Sequence, residues 1–62
     1  MTPAAEFFTV QDLAEMLQLS RKTVLRMVKR GELPCYHFGR AMRFRRTDVA
    51  QFLERCRTVA RP

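Results

Sequence analysis

The side chains best suited to nucleophilic or metal chemistry in this sequence are one histidine and two cysteines. Cys35, His37 and Cys56 lack the CxxC or HxxxH spacing of a tetrahedral zinc site, so we expect no metal site. His37 also has no nucleophile or paired carboxylate nearby in the sequence, so we expect no catalytic residue. A disulfide between the cysteines stays open, but without a secretion signal two reduced, packed cysteines are favoured.

The size of the chain argues against an enzyme. Its 62 residues can close one small core and leave no volume for an enclosed substrate pocket, so we expect neither catalysis nor a cofactor. The apolar runs are far shorter than the roughly 20 residues that span a bilayer, and the N-terminus lacks a targeting signal. We therefore expect a single cytoplasmic domain with no membrane partner.

The positive charge is concentrated in particular segments. The chain holds 12 Lys+Arg against 6 Asp+Glu, which is a formal net charge of +6. A helical wheel for residues 20–30 has an apolar side that carries Val24, Leu25 and Val28. The opposite side, with Lys29 at its margin, is polar and basic and carries Lys22, Thr23, Arg26 and Arg30.

A second basic segment follows Gly31, where the apolar period changes from that of a helix to that of a strand. Residues 35–45 alternate, with apolar and basic side chains on opposite sides. The apolar side carries Tyr36, Phe38, Met42 and Phe44, and the basic side carries His37, Arg43 and Arg45. We predict a hairpin in which Phe38 pairs with Met42, Tyr36 pairs with Phe44, and Gly39-Arg40-Ala41 forms the tip. Tyr36 and Phe44 are expected to pack on the helices.

Two basic elements on one small domain indicate a polyanionic partner. A helix about 10–12 Å across fits the roughly 12 Å major groove of B-DNA, and a ribbon beside it reaches the adjoining backbone. No aromatic residue is expected on the exposed side of the strands, which disfavours a stacking platform for single-stranded RNA. Three alternatives stay open: RNA, a merely solvated cationic face, and a protein-interaction module whose basic face docks an acidic partner.

Two helices are needed to position the first basic segment. Thr9 followed by Asp12 predicts a capping box at the start of the first helix. Its inward stripe consists of Val10, Leu13, Ala14 and Leu17. Ser20 is predicted to cap the second helix, and Gly31 to end it. Leu19 is predicted to plug the angle between the two helices, which form a helix-turn-helix.

A last helix completes the domain. Thr47 is predicted to cap it, with Asp48 in its first turn. Its inward stripe consists of Val49, Phe52, Leu53 and Cys56. Residues 1–6 are predicted to form a flexible N-terminal arm and residues 58–62 a frayed tail, on either side of a domain spanning residues 7–57. The predicted fold class is mainly α with a β-hairpin: three short helices plus a two-stranded wing.

Short motifs within residues 8–53 carry a family resemblance. They are Ser20-Arg21-Lys22-Thr23-Val24 at the start of the second helix, Gly31-Glu32-Leu33-Pro34 at its end, Gly39-Arg40 and Arg43-Phe44-Arg45 in the hairpin, and Asp48 in the last helix. This segment resembles the excisionase-type helix-turn-helix domain, which is related to the N-terminal DNA-binding domain of MerR regulators. The resemblance implies a winged helix-turn-helix in which the second helix is the recognition helix and the hairpin is the wing.

The resemblance also implies a role and a set of contacts. Excisionases bind repeated sites on double-stranded DNA, help bend it and direct an integrase towards excision, so an integrase or recombinase is an implied partner. Small phage, plasmid or developmental transcription regulators are the alternative. Matching by position, the residues that meet DNA in the family are Arg21, Lys22, Thr23, Arg26, Arg40 and Arg43. The candidate DNA-binding residues are Ser20, Arg21, Lys22, Thr23, Arg26, Lys29, Arg30, His37, Arg40, Arg43 and Arg45.

The assembly state follows from how much apolar helix surface the core already uses. No heptad run follows Arg57, and every helical stripe is needed for the one core, so we expect a monomer in solution. A single recognition helix reads only a few base pairs. Specificity is therefore expected from several copies on adjacent repeats, which bind stepwise or cooperatively, or from a partner protein.

Overall fold

A computed structural model describes residues 6–59 of the chain. The elements in chain order are β1 (Phe7–Phe8), α1 (Val10–Leu17), α2 (Arg21–Lys29), β2 (Tyr36–Phe38), β3 (Ala41–Arg45) and α3 (Arg46–Cys56). The helices and the β2–β3 hairpin confirm the predicted fold class. Most of the predicted arm and tail lies outside the described residues, which include only Glu6, Thr58 and Val59 of those two segments.

The start of α1 is set by a capping box. The Thr9 hydroxyl accepts a hydrogen bond from the Asp12 amide at 2.9 Å, and the Asp12 carboxylate accepts one from the Thr9 amide at 3.1 Å. These bonds satisfy backbone donors that a helix N-terminus leaves free. The prediction for this helix start is confirmed, and Val10, Leu13 and Ala14 are buried as expected.

The end of α1 places a non-glycine residue in the left-handed region. Gln18 has φ 58° and ψ 43°. Its amide donates to the Glu15 carbonyl at 3.2 Å, and the Leu19 amide donates to the Ala14 carbonyl at 2.9 Å. These two bonds form the Schellman pattern, which requires a left-handed residue at the point where Gln18 lies. A side chain there costs about 1–2 kcal/mol of conformational energy, which glycine avoids.

We expect Gln18→Gly to stabilise the domain by about 1 kcal/mol and to raise Tm by roughly 4–8 °C, measured by thermal unfolding. The reverse control is Gly31→Ala, because Gly31 has φ +79° with no atom within 4 Å of an added Cβ. That variant loses about 1 kcal/mol through the backbone conformation alone. A Gln18→Gly variant that unfolds at a lower temperature than wild type contradicts this account.

Local capping also determines the limits of α2. The Ser20 hydroxyl accepts from the Thr23 amide at 3.0 Å, which confirms Ser20 as the N-cap. At the other end, the Gly31 amide donates to the Val28 carbonyl at 2.9 Å and the Glu32 amide to the Met27 carbonyl at 3.0 Å. The positive φ of Gly31 closes this second Schellman motif. The chain then turns so that Leu33 enters the core.

The core draws on all three helices, on β3 and on the loop after α2. Its buried residues are Val10, Leu13, Ala14, Val24, Leu33, Phe44, Val49 and Phe52. Four residues predicted to pack inward are exposed instead: Leu19, Leu25, Leu53 and Cys56. So small a core covers only a narrow stripe of each helix. Met27, on the same helix as Leu25, is half-buried and packs against the core.

The sheet has a strand that the sequence analysis did not predict, and its register differs from the predicted one. The strand order is β1-β3-β2, with Phe8 opposite Phe44 and Phe7 opposite Arg45. In the hairpin the pairs are Tyr36 with Arg43, His37 with Met42, and Phe38 with Ala41. The predicted three-residue tip is therefore wrong. A two-residue loop, Gly39-Arg40, connects the strands, and Gly39 supplies the positive φ of 63° that such loops need.

This one-residue change in register moves two aromatic side chains to the other face of the sheet. Opposite residues share a face, so Tyr36 and Phe38 lie on the side of Arg43, away from the core. Both are exposed, whereas Phe44 is fully buried and Met42 is half-buried. The predictions that Tyr36 packs on the helices and that the exposed strand face lacks aromatics are both wrong.

The last helix begins earlier than predicted. The chain passes from β3 into α3 without a loop, and the N-cap position is Arg45, whose side chain makes no capping bond. The Arg46 amide instead donates to the Glu6 carbonyl at 2.8 Å, so an extension of β1 satisfies a free helix donor. Thr47 therefore lies inside the first turn, and its predicted capping role is wrong. Val49 and Phe52 are buried as predicted.

Candidate nucleic-acid interface

The exposed face of α2 carries three of the predicted basic side chains. Lys22, Arg26 and Lys29 are exposed, while Val24 on the opposite side is fully buried. The first turn of α2 holds no acidic residue, so the partial positive charge of the helix N-terminus is not neutralised there. Ser20 and Thr23 lie at this end, and their hydroxyl oxygens are 2.9 Å apart. This surface suits an anionic ligand.

A cleft joins the N-terminal end of α2 to the wing, which we define as β2, Gly39-Arg40 and β3. It is open, has a volume of about 330 Å³, and is lined by Thr9, Val10, Gln11, Arg21, Leu25, Arg40, Ala41, Met42 and Arg43. The strand register explains the position of the cleft. β1 ends at Phe8, opposite Phe44, and the chain then turns away from its partner strand β3 to begin α1. Three arginines and no carboxylate line the cleft, so its electrostatic potential is positive.

Arg43 reaches this cleft from β3. Its Nη1 donates to the carbonyl of Met42 at 2.9 Å, a group on the side of β3 that faces away from β2. That bond orders the guanidinium without neutralising its charge. Arg21, Arg40 and Arg43 therefore form a cluster of cations drawn from a helix, a loop and a strand, as the hypothesis of two basic elements required.

Other predicted residues lie apart from the cleft. Arg30, at the end of α2, lies 3.8 Å from the Glu32 carboxylate across an exposed ion pair. His37 is exposed on β2, on the sheet face that Met42 shares. Arg45 bonds through Nε to the Glu6 carboxylate at 2.8 Å. DNA contacts by these three residues stay predictions. The ion pairs with Glu32 and Glu6 offset part of the charge of Arg30 and Arg45.

The Arg45 ion pair affects the titration of its own guanidinium. The hydrogen bond to Glu6 raises the pKa of Arg45 above its usual value, and the Tyr36 hydroxyl adds a smaller effect in the same direction. Arg45 therefore stays cationic at every pH at which the domain is studied. The ion pair joins Glu6, just before β1, to Arg45 at the end of β3.

The described residues contain no cluster of metal-binding side chains, no disulfide and no membrane-spanning helix. Within residues 6–59 no three His, Cys, Asp or Glu side chains lie close enough together to hold a metal ion. Cys35 is half-buried and Cys56 is exposed, and both are free thiols. None of the helices in this part of the chain combines the length and apolar character that spanning a bilayer requires.

The comparison with known families agrees with this arrangement of helices. Residues 7–57 match a helix-turn-helix domain family. The chain belongs to this family. Helix-turn-helix domains that read DNA place their second helix in the major groove, and in this helix-turn-helix domain that helix is α2. No solved structure gives a significant match to the chain.

Three curated relatives of this helix-turn-helix domain are informative. It is 36% identical over 59 residues to the transcriptional repressor DcmR of Methylorubrum extorquens, which covers 92% of the chain and 22% of that protein. It is 37% identical over 49 residues to "Putative DNA-binding protein Rv0500A" of Mycobacterium tuberculosis, with coverages of 79% and 63%. It is 38% identical over 45 residues to the uncharacterized protein YvgK of Bacillus subtilis, with coverages of 73% and 15%. The chain thus spans less than two thirds of each.

Sequence reasoning missed two contributors to the cleft. One is the start of α1, residues 9–11, which forms a wall of the cleft. The other is Leu25, which was assigned to the core and instead lines the cleft beside Arg21. The capping box located the helix start, but nothing in the sequence showed that the end of β1 would place it beside the wing.

Proposed function

We propose that this domain binds double-stranded DNA sequence-specifically, with α2 in the major groove and the wing on the adjoining backbone. The observation that carries the proposal is the acid-free cleft in which Arg21 meets Arg40 and Arg43. Phosphate contacts from cations fix the register of a protein on a duplex, and side chains further along the helix then reach the base edges. The similarity to "Putative DNA-binding protein Rv0500A" adds support.

The residues divide into two groups under this proposal. Lys22 and Arg26 lie one turn apart on the exposed face of α2, where a major-groove helix presents its side chains to bases. Arg21, Arg40 and Arg43 are placed to contact phosphates. A guanidinium also forms a bidentate pair with guanine, so Arg26 is our choice for direct readout. The domain acts by binding, without catalysis of its own.

Arg26→Ala and Arg40→Ala test this division of labour. We expect Arg26→Ala to cost about 1–3 kcal/mol on the specific site and to relax discrimination there, because a base contact is lost. Arg40→Ala is expected to weaken binding to all sequences nearly equally. Both are measured by fluorescence anisotropy on specific and scrambled duplexes.

The matched control for these variants is Arg57→Ala, which removes the same charge from an exposed position after α3. It should leave both affinities close to those of wild type. Equal losses from Arg26→Ala and Arg40→Ala would show that Arg26 touches only the backbone. Absence of duplex binding by the wild-type domain, even at low salt, would refute the proposal as a whole.

Two biological roles are compatible with such a binding mode. The excisionase-type resemblance supports a recombination directionality factor that binds repeated sites, helps bend DNA and acts with an integrase. The similarity to the transcriptional repressor DcmR supports a transcription regulator instead. We favour the first because the excisionase-type resemblance extends over residues 8–53, and we retain the second. Both roles place the protein in the cytoplasm with its DNA.

Assembly on DNA separates the two roles. We expect a monomer in solution and stepwise or cooperative complexes on direct repeats, because one recognition helix reads too few base pairs for a genomic site. Sedimentation and footprinting measure this. A stable dimer at micromolar concentration with a footprint on one palindrome would exclude the repeat-binding arrangement and favour a dimeric regulator.

A further inference from the structure

Three aromatic rings form an exposed cluster on the outer face of the sheet, the face opposite the core. The Phe7 ring centroid lies 5.6 Å from that of Tyr36 and 5.8 Å from that of Phe38, both in edge-to-face geometry. The Tyr36 and Phe38 centroids are 6.3 Å apart with nearly parallel planes. The rings come from strands on either side of β3, so they meet above it.

These rings remain largely accessible to a partner. The exposed fractions are 37% for Phe7, 38% for Tyr36 and 55% for Phe38. Single exposed apolar residues are normal on a soluble protein, but a contiguous aromatic cluster marks an interaction surface. Aromatic residues and arginine are also the types enriched at the centres of protein interfaces. Arg45 lies on the same face, opposite Phe7.

We propose that this outer aromatic face docks an acidic protein segment that carries aliphatic or aromatic side chains. The apolar side chains of the segment would pack on Phe7, Tyr36 and Phe38. Its carboxylates would meet Arg45, whose side chain is 48% exposed in its ion pair with Glu6. Exposed ion pairs are weak, so a carboxylate of the partner can replace Glu6 at low cost.

The charges select this occupant over a second copy of the chain, which carries the same net charge of +6 and is repelled. A nucleic-acid strand is also anionic, and the oligodeoxythymidylate arm of the experiment distinguishes it. An acidic polypeptide gains from the overall positive field and can still bury apolar side chains.

The outer aromatic face adjoins the wing side of the proposed DNA interface. Phe7, Tyr36 and Phe38 do not line the cleft of Arg21, Arg40 and Arg43, but Arg43 lies opposite Tyr36 on the same sheet face. Phe44, which packs with the helices, lies on the other face of the sheet. A segment bound to the rings therefore leaves the exposed side of α2 free and competes with DNA only at the wing.

The test uses a fluorescein-labelled peptide that alternates glutamate with leucine, and a control peptide with serine in place of leucine. We expect the leucine peptide to bind and to shift the amide resonances of Phe7, Tyr36 and Phe38. Phe38→Ser should weaken this binding by about tenfold, since hot-spot aromatic residues contribute at least that much. Binding of the serine peptide should be weaker by a similar factor.

The matched control variant is Met16→Ser, which removes an apolar side chain of comparable exposure, 48%, from α1. It should bind the leucine peptide as wild type does. Circular dichroism should show both variants folded, and duplex DNA binding by the wild-type domain is measured separately without peptide. A failure of this proposal is therefore distinguishable from a failure of the proposed DNA binding.

Three results would overturn the proposal. Resonance shifts confined to α2, with Phe38→Ser binding as wild type does, would mean that the peptide follows only the basic face. Shifts at the rings caused by oligodeoxythymidylate in place of the peptide would assign the surface to stacked bases. Self-association that Phe38→Ser abolishes would assign it to a second copy of the chain.

Discussion

We expect Phe44→Ala to destabilise the domain by about 3–5 kcal/mol, which is comparable to the whole stability available to a core of this size. Phe44 is one of the fully buried large side chains and lies on the central strand of the sheet. It is opposite Phe8 and packs in the cluster with Leu13, Val24 and Phe52. Removal of the ring leaves a cavity between the sheet and the helices. Circular dichroism with urea titration should show a largely unfolded chain.

The matched control is Phe38→Ala, which removes the same ring from the same hairpin at an exposed position. We expect a loss of less than about 1 kcal/mol there, because little apolar area leaves the core. Similar losses in the two variants would mean that the hairpin is anchored by its outer aromatic rings. A well-folded Phe44→Ala variant would mean that the hairpin stands away from the core.

The second large effect is a steep salt dependence of duplex binding. Arg21, Arg40 and Arg43 are the cations placed to neutralise phosphates, and each contact contributes roughly 0.9 to the slope of log K against log salt. About three contacts give a slope of about −2.7, which is a loss of about fortyfold between about 50 and about 200 mM salt. Anisotropy titrations on a fixed duplex at several salt concentrations measure it.

Single substitutions locate the origin of this slope. Arg40→Ala should make the slope shallower by about one contact, because a phosphate partner is lost. Arg57→Ala carries the same change of net charge and should leave the slope as in wild type. An equal change in both variants would mean that DNA responds only to the total charge of the domain and that the cleft has no special part.

The features that were predictable from the sequence are those controlled by neighbours in the chain. Thr9 with Asp12, Ser20 with Thr23, and Gly31 each act through hydrogen bonds or dihedral angles within a few residues, so the helix limits they set were foreseen. The concentration of basic residues on one side of α2 likewise follows from the helical repeat alone. These local rules were enough to predict a helix-turn-helix followed by a basic hairpin.

The missed features depend on contacts between distant parts of the chain. Glu6 lies 39 positions before Arg45, and their pairing, together with the pairing of β1 with β3, could not be inferred from local spacing. Hairpin periodicity could not distinguish a two-residue loop from a three-residue one. That choice moved Tyr36 and Phe38 from the core face to the outer face.

The sequence by itself determined where α1 and α2 begin, where α2 ends and which segments are basic. Only the tertiary structure decided which side chains the small core could cover, so Leu33 became buried while Leu25 was left at the cleft. The physical reason is that propensity and capping act over a few residues, whereas burial depends on the area that other elements present. In a domain of this size that area is too small to cover every apolar stripe.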